Sequence, residues 1–389
     1  MLFIQKKYEL RGYQKEAVSR WVEAIKKWIK WIIVLPTWSG KSLVIANIAN
    51  QIEGKTIVFQ PSKEILEQNF QKYLSYSDDD DVSIYSASIW QKSFGKVVFA
   101  TIWSVINNMH RFSEYANVII DECHLVNPKW GMYKDFLNFL DHSKVIGLTA
   151  TPYRLASNSL WAELRFITRT RPRIFTEVLY YSQVWDLREH WFLSPMKYFQ
   201  VKWFDSNKLQ SNSTWAEYSE ASIKQHFKEI HFDNSLLDTV KRLVNSWRKS
   251  ILVFTSFISE SEYLVKELGT IARTVSSNTH KRERTNVLES FKEGKIKVVA
   301  NVWVLTTGFD FPELECVVLA RPTKSLWLYY QMVGRWIRPH VNKDECRVID
   351  MCENHNRFWK VEDLFLMDLW NWKRVVKSWN RQLTNTFFN

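Results

Sequence analysis

The stretch LPTWSGKS (35–42) puts a glycine, a lysine and a serine in succession where an apolar run, KWIIVLP (30–36), gives way to the helical pattern SLVIANIANQIE. A strand that turns sharply into a helix presents backbone N–H groups at the positive end of the helix, and phosphate oxygens bind there. In such a loop Lys41 reaches the β- and γ-phosphates and the Ser42 hydroxyl sits on Mg²⁺. Further along, VIIDECH (118–124) ends another apolar run in adjacent carboxylates. At the C-terminal edge of a parallel sheet Asp121 would lie beside the phosphate loop, holding Mg²⁺ through water, while Glu122 polarises an attacking water. Loop and acidic pair together specify nucleoside triphosphate hydrolysis with ATP and Mg²⁺.

These groups need a sheet to bring them together, and the first half of the chain supplies one. KWIIVLP (30–36), KTIVFQP (55–61), KVVFAT (96–101), ANVIIDE (116–122) and KVIGLTATP (144–152) read as buried strands separated by amphipathic helical patterns, the alternation of a parallel sheet with helices on both faces. An irregular zone, roughly 155–245, follows, with a polar, turn-prone stretch DSNKLQSNST (205–214). Alternation then resumes in SILVFTS (250–256), ARTVSS (272–277), KVVANV (297–302), ECVVLAR (315–321) and CRVID (346–350). Two α/β lobes joined by a connector is the expected organisation.

From about Leu10 to Asp350 the chain resembles superfamily 2 helicases with a DEAH-like box. LRGYQ (10–14) is similar to their adenine-reading element, with Arg11 and Gln14 at the nucleotide; Pro36, Thr37, Trp38, Ser39, Gly40, Lys41 and Ser42 form the phosphate loop. QPSKEILEQ (60–68) resembles the motif in which Pro61, Ser62 and Lys63 touch a nucleic-acid backbone, and Thr101, Thr255 and Thr306 fall where further strand contacts are expected. TATPYR (149–154) resembles the motif coupling nucleotide to strand. NVWVLTTGFDFP (301–312) resembles motif V, with Gly308 and Asp310 facing the nucleotide. QMVGRWIRP (331–339) resembles motif VI, in which Gln331 positions water and Arg335 and Arg338 serve as arginine fingers. His124 belongs to the DECH box.

The resemblance implies an α/β fold of two tandem RecA-like P-loop NTPase domains: an ATP-binding lobe over 1–157, a connector and start of the second lobe over 158–235, a C-terminal helicase lobe over 236–365, and a basic tail, read as helical, over 366–389. It implies an ATP-dependent translocase or helicase on nucleic acid, DNA favoured over RNA, in repair or recombination. An RNA helicase, a restriction-system motor subunit and an inactive nucleic-acid-binding module are the alternatives. RPTKSLWLYYQMVGR (321–335) and STWAEYSEASI (213–223) most resemble RadD-type repair helicases.

Composition agrees with a polyanion partner: Lys and Arg number 53 against 41 Asp and Glu, a formal charge of +12, and such a balance favours phosphate backbones. The four cysteines form no CxxC pair, so neither a zinc site nor a disulfide framework is expected and the cytoplasm is the expected location. No run approaches the ~20 apolar residues of a membrane span. Of the nine histidines, His226 and His231 are expected at the surface, and Tyr329 and Tyr330 in the core.

The Trp and Gly counts are inverted. Trp occurs 20 times and Gly 10, whereas Gly averages ~7% of residues. Trp38, Trp303 and Trp336 stand within motifs where the family carries a small residue or Gly, and Trp191 and Trp215 stand where turns are expected. A glycine in a phosphate loop lets the backbone approach its ligand. A UGA codon that the source reads as glycine, translated here as tryptophan, accounts for the pattern. Genuine indoles would instead crowd the β-phosphate at Trp38 and yield the inactive binding module.

Overall fold

The computed structural model describes all residues except 1–7, 26, 28, 38, 78–79, 158–161, 202, 305–310, 335–337, 370–372, 380, 386 and 389. The chain divides into two compact units, one of Met1–Arg154 with Arg165–Gln183, the other of Leu155–Leu164 with Val184–Asn389.

In the first unit β1 (Trp31–Val34), β2 (Lys55–Phe59), β3 (Val82–Ser86), β4 (Gln91–Lys92), β5 (Val97–Ala100), β6 (Tyr115–Asp121) and β7 (Lys144–Thr149) come in turn. β10 (Glu177–Tyr181) completes this unit, while β8 (Tyr153–Ser157) and β9 (Ala162–Phe166) straddle the division between the units. The main sheet runs β10-β1-β7-β6-β2-β5-β3-β4. Its pairings are parallel except the short β3–β4 pair. Every residue of β1 and β5 is buried, as expected of strands covered on both faces. Helices α1 (Gly12–Ala24), α2 (Lys41–Gln51) and α3 (Lys63–Tyr76) pack through Trp21, Ile45, Ile48, Leu66 and Tyr73 onto Ile33, Val58 and Phe99. The Ser62 hydroxyl caps α3 by accepting from Ile65 N at 3.3 Å, an interaction worth about 1 kcal/mol.

The second unit holds β11 (Met196–Gln200), β12 (Ile251–Thr255), β13 (Ala272–Val275), β14 (Val298–Asn301), β15 (Cys316–Ala320) and β16 (Cys346–Asp350). They form a fully parallel sheet in the order β11-β16-β15-β12-β14-β13. All ten expected strands are present. The fold is therefore two α/β domains of RecA type. The irregular zone contributes an edge strand to each sheet, β10 to the first and β11 to the second.

Two expectations need correction. The tail is not helical: β17 (Leu364–Leu369), β18 (Lys373–Ser378) and β19 (Arg381–Gln382) form an antiparallel sheet, while β20 (Phe387–Phe388) pairs with β9. The β-branched pair Val375–Val376 is buried there, a packing that suits a half-covered strand. His226 is buried, not superficial, because its ring packs on Phe204 and its Nε2 accepts from Asp205 N. Tyr329 and Tyr330 are buried as expected.

Two groups stand out among the described tryptophans. Trp21 and Trp31 are core residues. Seven others, Trp90, Trp191, Trp215, Trp247, Trp303, Trp359 and Trp379, have φ between 47° and 65°, the left-handed region that costs a residue with a Cβ about 1–2 kcal/mol. They are 38–93% exposed, so burial does not offset that cost. Seven such residues carry on the order of 7 kcal/mol of backbone strain, comparable to the whole net stability of a domain, ~5–15 kcal/mol. Their places are glycine places. Trp247 follows the helix Phe232–Asn245 and its N–H donates to Val244 O, as Gly294 (φ 74°) follows Lys281–Lys292 and donates to Phe291 O; both are left-handed helix stops. Trp379 is the first residue between β18 and β19, where tight hairpins take positive φ. Three of the five positions singled out from sequence are in this set; Trp38 and Trp336 lie outside the described residues.

Candidate nucleotide and strand site

The three loops expected to do chemistry leave adjacent strands. The phosphate loop follows β1, the DECH box follows β6, and TATP follows β7, and the sheet places these strands in the order β1-β7-β6. Ligands of open α/β sheets bind at such carboxyl ends.

Gly40 begins α2 at φ +77°, and a Cβ there would run into the Gln14 amide. The N-terminus of α2 has no side-chain cap and no acidic residue in its first turn, which leaves its positive end open to an anion. Gln14 Nε2 and Tyr13 Oη both donate to Ser39 O at 2.6 Å, and Arg11 N donates to Gln14 Oε1 at 2.8 Å. These bonds tie α1 to the loop. Ser39 Oγ donates to Pro36 O at 2.7 Å, and Thr37 is buried.

Lys41 Nζ lies 3.4 Å from Glu122 Oε1. Glu122 Oε2 is 3.3 Å from His124 Nδ1, which in turn is 2.9 Å from Thr149 Oγ1 and 3.2 Å from Thr151 Oγ1. A continuous polar chain thus links the phosphate loop, the acidic box and the TATP segment. Glu122 holds φ +48°, a strained backbone of the kind that clusters at functional sites, and its N–H donates to Asp121 Oδ1 at 2.9 Å. Burial, and next the neighbouring Glu122 carboxylate, raise the Asp121 carboxyl above its ordinary range; Lys41 and Asn69 oppose that shift.

Sequence reasoning missed two supports. Asn69 Nδ2 donates to Asp121 Oδ2 at 3.3 Å and to Gln60 Oε1 at 2.9 Å. Lys72 Nζ donates to Ser42 Oγ at 2.9 Å. A signal for Asn69 existed: it is a polar residue in the buried stripe Leu66, Asn69, Tyr73 of α3.

The residues present fit ATP with Mg²⁺. The α2 N-terminus is uncapped, the ammonium groups of Lys41 and Lys72 stand by its first turn, and Ser42 and Asp121 supply the hard oxygen donors that Mg²⁺ prefers.

The expected strand contacts fare differently. Pro61 and Thr101 line a cavity of about 370 Å³ with Gln60, Trp103, Trp130 and Arg154. Thr101 Oγ1 is bonded to Ser104 Oγ at 2.9 Å, and Lys63 Nζ donates to Ser88 O at 2.7 Å. In the second unit Thr255 is buried, its hydroxyl 2.8 Å from Ser261 Oγ and 3.5 Å from Asn301 O, contacts that tie β12 to β14. Gln331 is buried on the helix Leu326–Gly334, and the Arg338 carbonyl accepts from Ser194 Oγ at 2.8 Å. Thr306, Gly308, Asp310 and Arg335 lie outside the described residues.

Comparison with known proteins agrees with this geometry. The family described as type III restriction enzyme, res subunit, matches residues 7–154, and the helicase conserved C-terminal domain matches 235–340. The chain carries the two domains of a superfamily 2 helicase. Among curated relatives, the Saccharomyces cerevisiae protein named "Putative ATP-dependent helicase IRC3" is 26% identical over 371 residues, covering 88% of this chain and 51% of that protein. The Sulfurisphaera tokodaii DNA 3'-5' translocase XPB2 is 22% identical over 366 residues, covering 86% of this chain and 80% of its own. The chain thus spans about half the length of the IRC3 relative. A solved structure, the ATP-dependent type ISP restriction-modification enzyme LlaBIII bound to DNA, superposes with TM-score 0.63 at 16% identity, over 89% of this chain and 28% of that one; at that identity it speaks for the fold. Among the described residues, no helix is long and apolar enough to cross a membrane.

Proposed function

We propose that this superfamily 2 protein is an ATP-dependent translocase or helicase acting on nucleic acid, DNA before RNA, and that its working form carries glycine at the left-handed tryptophan positions and at 38. The observation that carries the motor reading is the chain from Lys41 through Glu122 and His124 to Thr149 and Thr151. It joins the nucleotide end of the first unit to the segment that the family resemblance makes the coupling motif. ATP with Mg²⁺ supplies the phosphoryl group whose transfer to water drives the cycle. Lys41 and the α2 amides bind and orient the phosphates. Ser42 and Asp121 hold the metal, Asn69 fixes the Asp121 carboxylate, and Glu122 orients the attacking water. The hydrolytic roles of Gln331, Arg335 and Arg338 are part of this proposal, as is a strand path along Pro61, Ser62, Lys63 and Thr101.

The preference for DNA rests on the named relatives, a DNA translocase and a DNA-bound restriction enzyme, together with the basic charge. A role in repair or recombination, and an affiliation with RadD-type enzymes, find no support in these relatives. For the tryptophans, the supporting observation is the backbone: seven exposed indoles in the conformation that L residues avoid. If the indoles are genuine, the chain is instead the inactive binding module, obstructed at residue 38.

ATP turnover by the protein as written and by Trp38→Gly, each with single-stranded DNA, RNA or neither, tests both parts. Strand-stimulated turnover in the glycine form alone is expected. Absence of turnover in both forms contradicts the motor. The codons give a separate check: UGG at Trp191, Trp247 and Trp303 would end the recoding account.

A further inference from the structure

The second unit contains a buried cation that the proposed function does not use. Arg321 leaves the end of β15 with 7% of its surface exposed. Among the described residues its guanidinium makes no hydrogen bond or ion pair; its contact is the Trp303 ring, whose centroid lies 3.0 Å from Cζ. That is closer than the ~3.5–4.0 Å at which carbon atoms rest. A guanidinium with so little exposed surface and no anion bonded to it among the described residues is an expensive arrangement, and burial pulls its pKa down to about 10.

The carboxylates of Glu217, Glu220 and Glu260 act on it at a distance, without a hydrogen bond or ion pair to it. Glu217 is occupied, accepting from Thr323 Oγ1 at 2.5 Å and from the N–H groups of Lys324 (2.6 Å) and Tyr218 (3.0 Å). Glu260 accepts from Ser256 N and Phe257 N, both at 3.1 Å, and Glu220 is exposed. Three residues beyond Arg321, the Lys324 ammonium donates to Ser211 Oγ and lies 5.8 Å from the Trp215 ring. Both indoles that cover this segment, Trp303 and Trp215, are left-handed, at φ 64° and 58°. One cation of this short segment lies under a tryptophan whose backbone calls for glycine, and the other lies 5.8 Å from a second such tryptophan.

We propose that Arg321, with Lys324 beside it, is a phosphate-binding site at the strand ends of the second unit, blocked by Trp303 and Trp215 in the chain as written and open when these positions are glycine. The ligand is a phosphate group of a nucleic-acid strand, and the proposal rests on the strand-binding reading above. Arg321 presents a planar fork of donors to phosphate oxygens. Without the indole, that fork becomes the floor of an open socket.

The test uses the full chain with Trp215→Gly and Trp303→Gly, a fluorescein-labelled oligo(dT), a fluorescent ATP analogue with Mg²⁺, and a salt series. The double-glycine protein is expected to bind the oligonucleotide at least tenfold more tightly than the chain as written. Adding Arg321→Gln should reverse most of that gain and flatten the slope of log K against log[salt] by about 0.7, the contribution of one phosphate on a single strand. Arg321→Lys should keep the slope while weakening binding. A merely structural role for Arg321 would lower the melting temperature and leave the slope unchanged, and that result overturns the proposal. Loss of ATP-analogue binding with the oligonucleotide unaffected overturns the strand assignment. A double-glycine protein that binds no strand with Arg321 intact overturns the strand-binding reading itself.

Discussion

The carboxyl ends of the two main sheets arrange their charges in opposite ways. In the first unit Lys41, Glu122, His124 and Thr149 are held to one another within hydrogen-bond or ion-pair distance, so the site is organised by its own side chains. In the second, Arg321 has no such partner among the described residues and lies under an indole whose backbone is strained. A site that satisfies its charges internally is ready before its ligand arrives. In the second unit the proposed phosphate would supply the anion that Arg321 lacks among the described residues. The difference directs attention to the residue identity at 303, not to the design of the fold.

The largest expected effect lies on the first unit. In a Trp38→Gly background, Lys41→Ala should lower ATP turnover about 10²–10³-fold, the range for removing one preorganised charge-stabilising group, with little change in melting temperature. Unchanged turnover would break the comparison from the organised side.

A smaller effect tests the strained side. Trp191→Gly, Trp247→Gly and Trp379→Gly should each stabilise the protein by about 1 kcal/mol, and the three together by about 3 kcal/mol, since distant sites add. Denaturant midpoints measure this; no gain, or a loss, would mean that the indoles make contacts worth more than the strain they impose.

A further effect concerns pH. Burial raises the Glu260 carboxyl to about 8 from an ordinary 4.5. Because the folded pKa is the higher one, folding favours the protonated acid. Its contribution to stability is complete below about 4.5 and is lost as pH rises through about 8. Glu260→Gln, which keeps an acceptor for Ser256 N and Phe257 N, should flatten stability against pH across that window. An unaltered profile would assign the dependence elsewhere.

Much of the fold was legible because parallel strands buried on both faces leave unbroken apolar runs such as WIIV, VVFA and CVVLA. The edge strands β10 and β11 were not: EVLYY and MKYFQ are half exposed and mix polar with apolar residues. The basic tail suggested a helix because charge and Trp masked the Val375–Val376 pair that packs it as a strand. The chemistry of Lys41 and Asp121–Glu122 was legible because each motif is local. Asn69 and Lys72 act on Asp121 and Ser42 across 52 and 30 residues of sequence, a relation only packing creates. The inverted Trp and Gly counts exposed the suspect positions, but φ was needed to separate Trp247 and Trp379 from the genuine core residue Trp21.

The central claim is that the uncapped start of α2, with Lys41 before Glu122, is a nucleotide site. Equilibrium binding of a fluorescent ATP analogue with Mg²⁺ to the Trp38→Gly protein, with and without Lys41→Ala, measures it most directly. Saturable binding that Lys41→Ala abolishes is the predicted result. Binding of equal strength in both proteins, or in neither, would contradict the account.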